Sequence, residues 1–135
     1  MAFLVNINEV VPDICERSFR YFAKEKKGET LRDTYWLIDP ATSPSKVLKL
    51  GYTIVYPDGK TTGHLHPDEE EVYFVLSGRG EMVIEEERFP IKEGEAFYVE
   101  PGKYHVTYNK GILPLTILWV TGKVKQSEET KKGGE

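Results

Sequence analysis

Thr62-Gly63-His64-Leu65-His66-Pro67-Asp68-Glu69-Glu70-Glu71-Val72-Tyr73-Phe74-Val75-Leu76-Ser77-Gly78 is the stretch that decides how this chain reads. Two histidines stand at i and i+2, carboxylates follow, and an apolar run closes on a glycine. On a strand, i and i+2 point to the same face, so His64 and His66 are expected to offer their imidazoles to one point. The chain has three histidines, and the third, His105, lies far downstream.

Outward from that stretch, short β-rich runs alternate with turn signals. Thr34 to Ile38, Val47 to Tyr56, the histidine segment, Glu71 to Ser77, Met82 to Glu85, Arg88 to Ile91, Ala96 to Val99, His105 to Tyr108 and Ile112 to Val120 all read as strands. Pro57-Asp58-Gly59-Lys60 is a turn in which Pro presets φ and Gly accepts φ > 0. Phe3 to Val11 alternates loosely and is expected to be a strand. Pro12-Asp13 opens a short helix carrying Ile14, Ser18, Tyr21 and Phe22 on one face and ending near Gly28. Many short strands without βαβ alternation describe an all-β sandwich or barrel and exclude a Rossmann-type sheet. Gly78 and Gly80 make no phosphate loop, because no helix follows them.

A chain of 135 residues is one domain with a core of its own. Residues 1–45 are expected to be an extension within that domain, 46–121 the barrel, and 122–135 a frayed tail. The net charge of −4 argues against nucleic acid, since phosphate binding wants a basic face. The start lacks a basic segment before its apolar residues, and no run is long enough to span a membrane, so a cytoplasmic location is expected. One cysteine, Cys15, permits no internal disulfide and reads as a small buried residue. The bias toward Lys and Glu over Asn and Gln follows the thermophile pattern.

A divalent first-row metal wants three or four N/O ligands at about 2.0–2.2 Å. His64 and His66 supply two, Glu71 can swing back from the next strand, and His105 follows a Pro-Gly turn on another. Three imidazoles and a carboxylate leave positions open on Mn, Fe, Ni, Co or Zn, unlike a closed structural zinc site. Glu69-Glu70 reads as a solvated run and Glu85-Glu86-Glu87 as a solvated hairpin tip.

These spacings resemble the cupins. In that family's first motif His-x-His, a short gap, Glu, six residues and Gly follow one another, as do His64, His66, Glu71 and Gly78. The motif's leading glycine is displaced here, with Gly59 one residue too close. In the second motif Gly94, Gly102, His105 and Asn109 fall in place, while Glu100 stands where the proline is usual and Pro101 follows it. The resemblance selects Glu71 over Glu70, and strand parity with Tyr73 and Val75 agrees. It implies a double-stranded β-helix of the jelly-roll type, one divalent transition metal held by His64, His66, Glu71 and His105, and a homodimer contacting through the N-terminal extension.

Thr62-Gly63-His64-x-His66 with Glu71-Val72-Tyr73 further resembles the archaeal cupin-type phosphoglucose isomerases, although the gap from His66 to Glu71 is shorter than in those enzymes. That likeness implies an enzyme acting on a small oxygenated metabolite such as a sugar phosphate. The metal would polarise carbonyl and hydroxyl oxygens, and a carboxylate, Glu71 or Glu100, would move the proton. Thr61, Thr62 and Gly63 are phosphate candidates, and Tyr52, Tyr73 and Tyr104 substrate contacts. The same ligands also serve Fe- or Mn-dependent dioxygenases and decarboxylases, or a non-catalytic small-molecule-binding module.

Overall fold

The computed structural model describes residues 2–13, 32–61 and 63–124. The expected helix opening at Pro12-Asp13 lies, from residue 14 to its end near Gly28, outside the described residues, as do Cys15, Thr62 and the tail from 125. Within them stand eight strands: β1 (Arg32–Ile38), β2 (Lys49–Val55), β3 (Glu69–Ser77), β4 (Arg79–Ile84), β5 (Glu87–Lys92), β6 (Ala96–Val99), β7 (His105–Tyr108) and β8 (Leu115–Lys123). Two antiparallel sheets result, a five-stranded one ordered β1-β2-β8-β3-β6 and a three-stranded one ordered β5-β4-β7. This is the expected all-β jelly-roll architecture.

Three local readings are corrected. The strand expected over Phe3 to Val11 is broken by a 3-10 turn at Ile7–Glu9. The cause is local: the Asn6 side chain accepts from the Asn8 amide at 2.9 Å and caps the turn. The histidine segment forms no strand, and His64 makes only a single antiparallel bridge to His105. The last strand runs on through Gly122 and Lys123, because these pair with Glu70 and Glu69 of β3.

β3 shows how one strand builds both core and site. Glu69, Glu71, Tyr73 and Val75 point inward, while Glu70, Val72, Phe74 and Leu76 point outward. Val75 joins Val55, Met82, Ile91, Val99, Leu115 and Ile117 in the buried core, with Tyr73, Ile84, Phe89 and Phe97 packed against it. The polar upper half of the same face lines a cavity above that core.

A candidate metal centre in the barrel

The cavity has a volume of about 240 Å³. β1 contributes Arg32, Thr34 and Trp36, β2 Lys49 and Thr53, and β8 Ile117, Trp119 and Thr121. Glu69, Glu71 and Tyr73 come from β3, Thr61, His64 and His66 from the connecting segment, and Thr107 from β7. Gly51 is what admits one wall, since a Cβ there would overlap the Trp119 indole. That indole donates from Nε1 to Thr53 Oγ1 at 2.9 Å and meets Trp36 edge-on at 5.1 Å.

At one end the ligand atoms of His64, His66 and Glu71 lie within 4.8 Å of one another. His66 Nε2 is 3.6 Å from Glu71 Oε2, and His105 Nε2 is 3.3 Å from Glu71 Oε1. His105 stands behind the cavity wall, with its ring 4.3 Å from that of His64. Its Nδ1 faces the Lys103 carbonyl at 2.9 Å. A carbonyl oxygen only accepts, so Nδ1 carries the hydrogen and Nε2 of the neutral ring is a lone pair. That Nε2 is buried and faces Glu71 Oε1, so the neutral ring makes no hydrogen bond there and only the protonated ring does. Two acceptors, Nε2 and the Glu71 carboxylate, therefore confront each other, and a proton or a cation between them is the physical remedy. The donor set fits a divalent metal, and the Nδ1-to-carbonyl bond is the outer-shell support that metal-binding imidazoles use.

The electrostatics agree. Burial opposes charge on Glu71, yet the hydrogen bond that a protonated His105 gives, the hydrogen bond from Tyr73 and the imidazolium charges of His105 and His64 outweigh it and hold its pKa below the usual carboxylate value. Burial likewise opposes charge on His105, but the hydrogen bond to Glu71, the Lys103 carbonyl and the Glu71 charge raise its pKa. The Tyr73 hydroxyl donates to Glu71 Oε1 at 2.6 Å. Burial first, then the Glu71 charge and that hydrogen bond, push this phenol well above its ordinary value, so it stays a donor. Phe97 stacks on Tyr73 at 4.8 Å and fixes the ring.

The structure thus brings Glu71, Tyr73 and all three histidines together. It does not bring Glu100, whose side chain is 65% exposed and lies 4.0 Å from Lys103. Tyr52 packs edge-on against Tyr35 on the outer face of the sheet, and Tyr104 is exposed. Gly63 packs against the Tyr104 hydroxyl. Glu70 accepts from Tyr98 on the outer face at 2.8 Å, so Glu71 is the inward carboxylate. Glu69 is buried in the cavity wall and bonded by Lys49 at 3.2 Å, contrary to its reading as solvated. Its place was visible in parity alone: Glu69 shares the face of Glu71. Asn109 of the second motif is a brace, donating from Nδ2 to the Val55 and Leu113 carbonyls at 2.8 Å each and accepting from the Gly111 amide at 2.8 Å.

Similarity to known proteins points the same way. An uncharacterised protein of Methanocaldococcus jannaschii is 33% identical over 106 residues, covering 78% of this chain and 82% of that protein. The glucose-6-phosphate isomerase of Thermococcus kodakarensis is 36% identical over 84 residues, 53% of this chain and 44% of the enzyme, so the alignment spans under half of that enzyme. Among solved structures, a predicted oxalate decarboxylase of Thermotoga maritima superposes with a TM-score of 0.72 at 24% identity, covering 90% of this chain and 100% of the other, a likeness of fold. The family model described as "Cupin domain" matches residues 51–121, and with the two sheets and the inward histidine cluster already in view, the chain belongs to the cupins.

Proposed function

We propose that this cupin holds one divalent transition metal on His64, His66, Glu71 and His105 and acts on a small oxygenated metabolite, as a sugar-phosphate isomerase or epimerase does. The observation that carries the reading is His105: a buried ring nitrogen, pinned by its other nitrogen to a carbonyl, faces a carboxylate at 3.3 Å that it can bond only through a shared proton or cation. A bound divalent ion supplies Lewis acidity toward adjacent carbonyl and hydroxyl oxygens. Tyr73 orients Glu71 by donating to Oε1. Trp36, Trp119, Tyr73 and Ile117 give the cavity an apolar wall against which the carbon side of a small ligand can pack. At about 240 Å³ it is smaller than the roughly 300–1,000 Å³ of drug-sized pockets, which favours a small metabolite. The proton shift between neighbouring carbons needs a cavity carboxylate. Glu71 and Glu69 stand there, whereas Glu100 faces solvent. The likeness to the Thermococcus isomerase supports the reaction class.

We also infer a homodimer. Val72, Phe74, Leu76 and Tyr98 are each more than two-fifths exposed on the outer face of the five-stranded sheet, where a solvated antiparallel sheet would alternate to polar residues. A second copy of that face satisfies it.

The test is metal content by plasma mass spectrometry on untagged protein and on His105→Ala, followed by a coupled assay of fructose 6-phosphate conversion to glucose 6-phosphate. Near-stoichiometric metal lost in the variant, with turnover in the loaded protein, is the expected result. Protein that stays empty after dialysis against Mn, Fe, Ni and Zn removes the enzyme reading. Metal without isomerisation, joined to oxygen uptake or CO₂ release from a dicarboxylate, moves the assignment to a dioxygenase or decarboxylase.

A further inference from the structure

Beside the metal cluster the sheet presents a second polar group that the ligand set does not use. Lys49 on β2 and Glu71 on β3 are both register partners of Thr121 on β8, so the three side chains form one row across the inner face. Glu69, two residues before Glu71 on the same face, lies 3.2 Å from the Lys49 ammonium through Oε2. Lys49, Glu69 and Thr121 all line the cavity. Thr121 is 4% exposed, and its Oγ1 has no hydrogen-bond partner. A buried hydroxyl left unpaired is costly. Glu69 is buried and Lys49 part-buried, and such an ion pair contributes little to stability against an apolar pair of the same volume. Neither feature stabilises the barrel, yet both border the same end of the same cavity.

We propose that Lys49, Glu69 and Thr121 form a hydroxyl-recognising subsite beside the metal cluster, which makes the ligand class a small polyhydroxylated molecule. A ligand hydroxyl both accepts and donates. It takes a hydrogen bond from the Lys49 ammonium and gives one to the Glu69 carboxylate, while the neighbouring ligand oxygen pairs with Thr121 Oγ1. An alkyl chain satisfies none of these groups, and an isolated anion leaves Glu69 unmatched. Tyr73 and Trp119 also line the cavity and add apolar surface beside these groups. The inference deepens the sugar-phosphate reading and rests on it for the metal alone.

The experiment is calorimetric titration with gluconate and with hexanoate, two monoanions of equal chain length that differ in hydroxyls. It uses the metal-loaded protein, or the protein as purified if none loads. Fluorescence is a second readout, since both tryptophans of the chain, Trp36 and Trp119, line the cavity. The expected result is a preference for gluconate of about tenfold or more, given the worth of one to two hydrogen bonds. Thr121→Val should cut the preference by about tenfold. A single change at Lys49 strands the buried Glu69 charge. The double variant Lys49→Met with Glu69→Met keeps volume and removes both charges, and should fold with an unchanged melting temperature while losing the preference. Equal binding of the two anions by the native protein overturns the subsite. So does a preference that survives in the double variant, or a double variant that fails to fold. A gluconate preference without isomerase turnover upholds the subsite and sinks the isomerase. An empty protein that still prefers gluconate sinks the metal reading alone.

Discussion

A neutral imidazole with one nitrogen bonded to a carbonyl has a single lone pair left to place. In His105 it lies 3.3 Å from Glu71 Oε1, and Tyr73 donates to that same oxygen at 2.6 Å. Tyr73→Phe removes the donor that orients the carboxylate without opening a void. Loss of an outer-shell partner of this kind weakens metal binding by roughly 10- to 100-fold, so competition with a chelator should read a drop of that size while the melting temperature changes little. The proton competes with the metal for the same lone pair. Because Glu71 and the Lys103 carbonyl, working against burial, raise the His105 pKa above its ordinary value, metal affinity should fall as pH drops below a midpoint higher than 6.5. For the metal-free protein the sign reverses. A raised histidine pKa gives stability that is full below pH 6.5 and lost as pH rises through the folded value. The gain in melting temperature on adding metal should therefore widen between mildly acidic and mildly alkaline pH, and a gain that narrows would refute the assignment. Glu71 and the histidines were legible from spacing. The Nε2 orphan was not, because it depends on where the Lys103 carbonyl lies.

At the scale of elements, β1, β2 and β8 build the wall opposite the histidines. Trp36 on β1, Gly51 on β2 and Trp119 on β8 follow one another in register, and the indole fits only because position 51 lacks a Cβ. Gly51→Ala pushes the indole off Thr53 into the cavity. Overpacking of this kind costs about 1–3 kcal/mol, which a denaturant titration should read as a lower midpoint at unchanged slope, and it should weaken ligand binding as well. Most strands were legible from β-rich composition between turn signals. Two of the three corrected readings are strands that did not form. Asn6 offers the backbone a side-chain partner in place of a ladder, and among the described residues the histidine segment meets β7 as an isolated bridge, not a ladder. Pairing partners, not local pattern, decide such segments.

At the scale of the whole molecule, the outer face of the five-stranded sheet is apolar along most of β3. Val75 is buried inside, and Val72, Phe74 and Leu76 stand outside at 42–46% exposure. Exposed apolar faces of this kind mark association surfaces. Light scattering on native protein should give the mass of two chains. Phe74→Lys should shift it toward one chain, with metal content retained, because Phe74 lies on the face opposite Glu71. A monomeric native protein would refute the pairing.

Sequence alone determined the β class, the family and the inward carboxylate, because side-chain alternation and the spacing of ligands around a turn are short-range properties of the chain. The tertiary structure decided what depends on strands far apart in sequence. It buried Glu69 against Lys49, left Thr121 without a partner, sent Glu100 and Tyr104 to the surface, and set His105 Nε2 against Glu71. Register between β2, β8 and β3 produced the row beside the metal cluster, and a register is fixed by the pairing of whole faces, which no single stretch contains.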